Sequence, residues 1–420
     1  MADGSRRTPR RFLRRVAALR DEIRESTDAN LLAALRVLGL LYGPLDRRSR
    51  IDRAFQKARA YRLAPHVGWR HALGGIAYFL LMLLVGTGVL MAFYYRPSAQ
   101  EAYPSVQHIV ASVPFGWLIR DAHVWAASLV VILVVLHLGR TFLEATYKAP
   151  RQTNWTVGLL LLLVVLAFGA SGYLLPWEQA GYWTVTEALD TVARIPVLGG
   201  IASELLRGDA VVSGATLSRF FALHVIILPW LLLGLISMHY GLVRKHGAAP
   251  LAYGTGAGRE VRFYPHHLMR ILGAAAVTLA VVISLVVLVP RPFGPPADPG
   301  VVPDAIPSTW VAVTPWRGLV HYIGVLGPVL LLLFGLVLLV LPLVDRGHER
   351  DLRRRPIALV LAIVAVGGLL LATVAGRFLR EAPPVQTPPE VEAPATPFSG
   401  AESPAVPTAP PDTGAEGRQP

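Results

Sequence analysis

Seven separate runs of apolar residues, each near the roughly 20 residues that a helix needs to cross a hydrocarbon core, leave this 420-residue chain few ways to fold. They are Ala72–Tyr95, Ala122–Leu138, Trp155–Trp177, Phe220–Val243, Ile271–Pro290, Gly318–Val344 and Pro356–Gly376. Backbone inside a bilayer must satisfy its own hydrogen bonds, so runs of this kind become helices. The expected fold class is therefore all-α, a polytopic membrane protein. Only 16% of the residues are charged, and those charges collect between the runs instead of within them.

The charge bias predicts an orientation. Residues 1–72 hold 17 Lys/Arg against 7 Asp/Glu, +10 of the chain's net +13. Taken together, the loops after the second, fourth and sixth runs are also richer in Lys/Arg than the other three. Such bias marks the cytoplasmic side of a membrane protein and not a nucleic-acid partner. No compact apolar core with a cleavage site is visible near the start, so residues 1–65 are expected to stay cytoplasmic. An odd number of spans then places the acidic segment 381–420 outside. Cysteine is absent from the sequence, which excludes disulfides, thiolate metal sites, iron–sulfur clusters and thioether-linked haem from this chain.

Four segments are expected. Residues 1–65 read as a basic extension with amphipathic helices, from stretches such as Phe12–Arg24 and Asn30–Leu41, lying on the inner surface. Residues 66–247 hold the first four spans, with short surface helices between 178 and 219. Residues 248–380 hold the last three, with a Pro- and Asp-rich outer loop over 291–316. Residues 381–420 are Pro-rich, low in apolar content, and expected to be disordered.

Of twelve histidines, four lie within the apolar runs: His123 and His137 on the second, His224 and His239 on the fourth. An ionisable residue at membrane depth is a functional candidate. Separations of 14 and 15 residues put the two histidines of each helix roughly 21–22 Å apart, with angular offsets of only about 40–60°. Each helix thus presents two imidazoles on one face, one near each side of the bilayer. The two helices run in the same direction, so His123 faces His224 near the outer surface and His137 faces His239 near the inner one. Two such pairs supply the axial nitrogens of two six-coordinate haems, within a four-helix haem-binding bundle joined by three further transmembrane helices. Zinc or di-iron fits less well, because no carboxylate lies near these histidines at membrane depth. Four unrelated packing histidines are the bland alternative.

Room for a macrocycle is expected from Gly74 and Gly88 on the first span and Gly158 and Gly172 on the third, again 14 apart on each. Arg120 and Arg219 lie just beyond the outer pair, Arg140 and Arg244 just beyond the inner one. Guanidinium groups suit haem propionates as bidentate partners, although interfacial arginines also anchor helices without any ligand.

The runs Phe93-Tyr94-Tyr95-Arg96-Pro97, Phe115-Gly116-Trp117-Leu118-Ile119-Arg120, Ser171-Gly172-Tyr173-Leu174-Leu175-Pro176-Trp177, Glu204-Leu205-Leu206-Arg207-Gly208 and Arg244-Lys245-His246-Gly247 resemble cytochrome b of the bc-type complexes. Residues 66–247 are similar to the four-helix cytochrome of the photosynthetic form, and the last three spans to its three-helix companion subunit, here fused. The resemblance implies that His123 and His224 ligate a low-potential haem b, and His137 and His239 a high-potential one, both non-covalently. It implies an outer quinol site near Tyr173, Pro176, Trp177 and Trp310, with metal-binding confined to the four histidines. It also implies a Rieske iron–sulfur protein and a c-type cytochrome as partner subunits, quinone as substrate, a homodimer in a bacterial inner membrane, and no role for nucleic acid.

Two positions depart from that pattern. Ala72 stands where the photosynthetic cytochrome has a cysteine for an extra haem. The family's Pro-Glu-Trp-Tyr motif aligns with Ser308-Thr309-Trp310-Val311, and Thr309 cannot act as a carboxylate base. Asp304 or Glu178 could take the quinol proton instead. A haem-b relay or membrane anchor that does not split the electron pair is therefore the second reading, and a non-redox transporter or scaffold the third.

Overall fold

The computed structural model describes residues 62–64, 67–247, 249, 261–303 and 310–377. The expected amphipathic helices of the N-terminal extension, the Pro-rich tail, Asp304 and Thr309 all lie outside these residues. Eleven helices of at least nine residues are formed among the described residues: α1 (Leu73–Ala92), α2 (Ala102–Ser112), α3 (Gly116–Leu143), α4 (Gln152–Leu174), α5 (Gln179–Ala193), α6 (Gly199–Arg207), α7 (Gly214–His246), α8 (Phe263–Leu288), α9 (Val313–Ile323), α10 (Leu326–Val344) and α11 (Pro356–Arg377). Seven of them, α1, α3, α4, α7, α8, α10 and α11, are long and apolar enough to cross a bilayer. Their outward faces carry Leu, Val and Ile in quantity, as side chains solvated by lipid should.

One expected span is divided. Residues 318–323 belong to α9, and the chain breaks at Gly324, whose φ of +57° suits glycine, before α10 begins. The cause is tertiary. Gly318 sits so close to α11 that a Cβ there would lie 2.1 Å from the Ala372 carbonyl oxygen, and Arg317 is buried against Glu187 of α5 at 3.4 Å. Apolar content alone assigned those residues to the span.

In the four-helix half, α1 packs on α3 and α4 packs on α7, whereas α3 and α7 barely touch directly. The core between the pairs is aliphatic and aromatic: Leu80, Ala126, Val130, Val164, Leu228 and Leu232 lie at its centre. Helix α8 closes one side, resting on α3 and α1. A two-residue antiparallel pairing joins β1 (Arg62–Leu63) to β2 (Val261–Arg262), and Arg270 donates to the Val67 carbonyl 3.0 Å away. The segment ahead of α1 is thereby tied to the segment ahead of α8.

The two halves also lock together through buried charge. Lys148, in the α3–α4 loop, donates to Asp345 at 2.7 Å and to the carbonyls of Gly347 and Glu349. Tyr147 donates to Asp345 at 2.5 Å, and Arg355 reaches the same carboxylate at 3.1 Å. Burial alone would raise the Asp345 pKa, but the hydrogen bonds from Lys148 and Tyr147 and the nearby cations outweigh it and hold the carboxyl below its usual range.

Candidate functional site

The four membrane histidines face inward from α3 and α7. His123 and His224 oppose one another with ring centroids 6.4 Å apart and planes inclined by 57°. Two imidazole nitrogens on one first-row metal, each roughly 2 Å from it, put their ring centres roughly 6 Å apart. The separation is one at which two imidazoles could share a single metal ion. His137 and His239 form the second pair, close enough to interact electrostatically.

The 15-residue interval on α7 has a local explanation. Leu223–Ile227, which includes His224, is a π-helical turn, in which one additional residue is taken up without advancing the helix by a full step. With that residue absorbed, His224 and His239 return to the register that 14 residues give His123 and His137. Both helices then present matched faces. Among the described residues, no group of three or more His, Cys, Asp or Glu is assembled, so the histidines meet only as pairs.

Each of the four glycines stands against one of the four imidazoles. A Cβ on Gly88 would lie 3.3 Å from His123 Cε1, and one on Gly172 only 2.7 Å from His224 Cε1. On Gly74 and Gly158 it would lie 3.6 Å from Cε1 of His137 and His239. The room these residues leave is thus first of all room for the ring edges, where the spacing alone suggested room for the macrocycle.

Hydrogen bonds favour one tautomer in the first pair. Thr87 Oγ1 gives its proton to the Leu83 carbonyl at 2.7 Å, so toward His123 Nδ1, 2.9 Å away, it can only accept. Ser171 Oγ likewise donates to the Ala167 carbonyl at 2.7 Å and accepts from His224 Nδ1 at 3.1 Å; the Phe168 carbonyl, 3.0 Å away, accepts from the same nitrogen. This arrangement suits a proton on Nδ1 of both rings, which leaves the Nε2 lone pair of each for a metal. In the second pair, Nδ1 of His137 and of His239 is buried without a hydrogen bond; that of His239 faces the Asn154 carbonyl outside bonding geometry. Thr87 and Ser171 were not singled out from sequence, although each immediately precedes a ring-facing glycine, a pattern legible once the glycines are marked.

The arginines go to different partners. Arg120 is buried, donating to Asp121 at 2.9 Å and the Arg291 carbonyl at 2.7 Å, with Glu178 at 3.4 Å. Arg219 donates to the Glu204 and Leu205 carbonyls at the end of α6, over Gly208. Arg140 pairs with Glu144 at 2.9 Å beside the second pair, and Arg244 is exposed near the end of α7.

At the His123 end, the α8–α9 loop clamps onto the end of α4. Gln179 N–H donates to the Pro295 carbonyl, Ala297 N–H to the Trp177 carbonyl, and Tyr103 hydroxyl to the Gly294 carbonyl. Trp177 is buried with φ +54°, and Pro176 beside it is half-buried. Tyr173 lies within electrostatic reach of Arg291. Trp310, near the end of the same loop, packs against α4, where a Cβ on Gly169 would be 1.9 Å from its ring. Glu178, beside this group, accepts from Gly294 N–H at 3.0 Å. Burial pushes its carboxyl above the ordinary carboxylate range, against the opposing pull of Gly294 N–H and the Arg120 charge.

This arrangement of a membrane bundle with paired inward histidines is that of a bc-type cytochrome b, and comparison with known proteins agrees. The family model Cytochrome b/b6/petB matches residues 59–247. Cytochrome b6 of Synechococcus sp. (strain CC9902) is 44% identical over 183 residues, 44% of this chain and 84% of that protein. Cytochrome b6 of Prochlorococcus marinus (strain NATL1A) is 43% identical over the same length. A chain of a hyperthermophilic respiratory Complex III superposes with a TM-score of 0.67 at 26% identity, covering 80% of this chain and 95% of that one. The chain belongs to the cytochrome b/b6 family. It is a multi-pass, haem b-binding oxidoreductase subunit of the bc type, in which a region similar to cytochrome b6 continues into three further apolar helices.

Proposed function

We propose that the chain is the di-haem cytochrome b subunit of a quinol-oxidising bc-type complex, carrying electrons across the membrane between an outer quinol site and an inner quinone site. The observation that carries this reading is the 6.4 Å separation of the His123 and His224 rings with both Nδ1 atoms already engaged. The residues present fit haem: two opposed Nε2 lone pairs, a weak direct contact between α3 and α7, and glycine behind each ring. His123 and His224 would hold one haem b and His137 and His239 the other, with Arg140 and Arg244 flanking the second. Bound haem supplies a reversible one-electron carrier.

The chain's own residues then position and deprotonate quinol. Tyr173, Pro176, Trp177 and Trp310, with the α8–α9 loop, would shape the outer site. Oxidation of quinol to quinone releases two protons and two electrons. Glu178, buried beside these residues, would accept one proton in the role that Thr309 cannot fill, and the second would leave to the outer water. One electron would leave through a Rieske iron–sulfur protein to a c-type cytochrome, the other inward to quinone. Residues 66–247 would form the di-haem domain and 248–380 the three-helix domain of a homodimer in a bacterial inner membrane, N-terminus cytoplasmic and C-terminus outside.

Reduced-minus-oxidised spectra with redox titration of membranes containing the chain test the proposal. Two b-type components of different midpoint are expected, and absence of haem absorbance would sink it. Thr309 keeps a second reading in view, a haem-b relay that does not split the pair. It predicts that ligands of the outer site leave quinol-driven haem reduction uninhibited and that Thr309→Glu adds no turnover.

A further inference from the structure

The two histidine pairs are supported differently. Thr87 precedes Gly88 and accepts from His123; Ser171 precedes Gly172 and accepts from His224. At the equivalent positions behind the second pair, the residues preceding Gly74 and Gly158 are Leu73 and Val157, which have no hydroxyl; Nδ1 of His137 makes no hydrogen bond, and that of His239 faces only the Asn154 carbonyl.

We infer that these two hydroxyls lower the midpoint of the haem held by His123 and His224. The inference rests on the di-haem reading above. An acceptor on Nδ1–H draws the proton away from the ring and gives the imidazole more imidazolate character, raising the basicity of Nε2. A more basic axial ligand stabilises the more positive, oxidised iron and so lowers the midpoint. Thr87 and Ser171 can only accept here, because each hydroxyl proton is already committed to a carbonyl one helical turn back. Both axial ligands of one haem are made more basic in this way. Those of the other lack a hydroxyl acceptor, and the difference runs in the direction that drives electrons from the first pair to the second. Thr87 and Ser171 are thus positioning residues that act through the ligands.

The test is a spectroscopic redox titration of membranes carrying the full-length chain in its complex, with His137→Ala used to assign the bands. Thr87→Val and Ser171→Ala should each raise the midpoint of the His123–His224 haem, the double variant should raise it further, and the other haem should stay at its wild-type value. Thr87→Ser should restore it. Conversely Val157→Thr, nearly isosteric, should lower the midpoint of the His137–His239 haem. Two haems retained with an unmoved His123–His224 midpoint in both loss variants would overturn the inference while leaving the di-haem reading intact. Absence of haem from the wild type would instead remove the reading beneath it. Should Thr87→Val cost the haem itself, the Val157→Thr shift decides alone.

Discussion

Adding one methyl group at each of the four ring-facing glycines should produce a graded series set by distance. Carbon atoms in contact rest roughly 3.5–4.0 Å apart. In Gly172→Ala the new Cβ would lie 2.7 Å from His224 Cε1 and 3.2 Å from Nδ1, an overlap of most of an ångström with a ring held by Ser171 and the Phe168 carbonyl. Forcing an extra methyl into a packed interior costs about 1–3 kcal/mol, which is roughly a 5- to 150-fold loss of haem affinity if the strain falls on the ligand. Gly88→Ala, at 3.3 Å from His123, should lose a few-fold, whereas Gly74→Ala and Gly158→Ala, both at 3.6 Å, should retain haem at wild-type occupancy. Haem stoichiometry by pyridine haemochrome on purified protein, with the temperature of haem loss, reads the series. Alanine favours a helix over glycine by about 1 kcal/mol, so a loss in Gly172→Ala cannot be blamed on a weakened helix. Equal loss in Gly158→Ala and Gly172→Ala would refute the reasoning, since only the second meets a hard contact.

Other consequences are as definite. His137→Ala should remove one b-type component from the spectrum and leave the other; simultaneous loss of both would contradict independent pairing. Glu178→Gln should cost about 100-fold or more in quinol oxidation. Because burial raises this carboxyl's pKa, the wild-type rate should climb with pH through that raised value as the base ionises, and the variant's pH profile should be flat over the same interval. Asp345→Ala removes the carboxylate partner of Lys148 and Arg355, both buried, and should destabilise the protein by about 3 kcal/mol, the low end for a broken buried pair because Asp345 keeps 25% side-chain exposure and Lys148 keeps two carbonyl acceptors. Its pKa is depressed in the folded state. Its contribution is therefore present above the unfolded carboxylate pKa and lost as pH falls through the depressed value, which thermal unfolding at a series of pH values measures.

Much of this protein is written locally in its chain. A membrane span needs only apolar residues in succession, so hydropathy located all seven, and a helix repeats regularly enough that intervals of 14 and 15 marked the histidine faces. The glycine intervals on the first and third spans were visible for the same reason. Rotation of one helix against another is not local. That the glycines back the imidazoles, that Thr87 and Ser171 hold the ring protons, and that Arg120 and Arg219 serve protein carboxylates and carbonyls were decided by which faces meet across the bundle. The division of the sixth apolar run at Gly324 has the same origin, because Gly318 packs on α11 and Arg317 finds Glu187 far off in sequence. Periodicity along one helix contains no information about its neighbour's, and only the packed bundle supplies it.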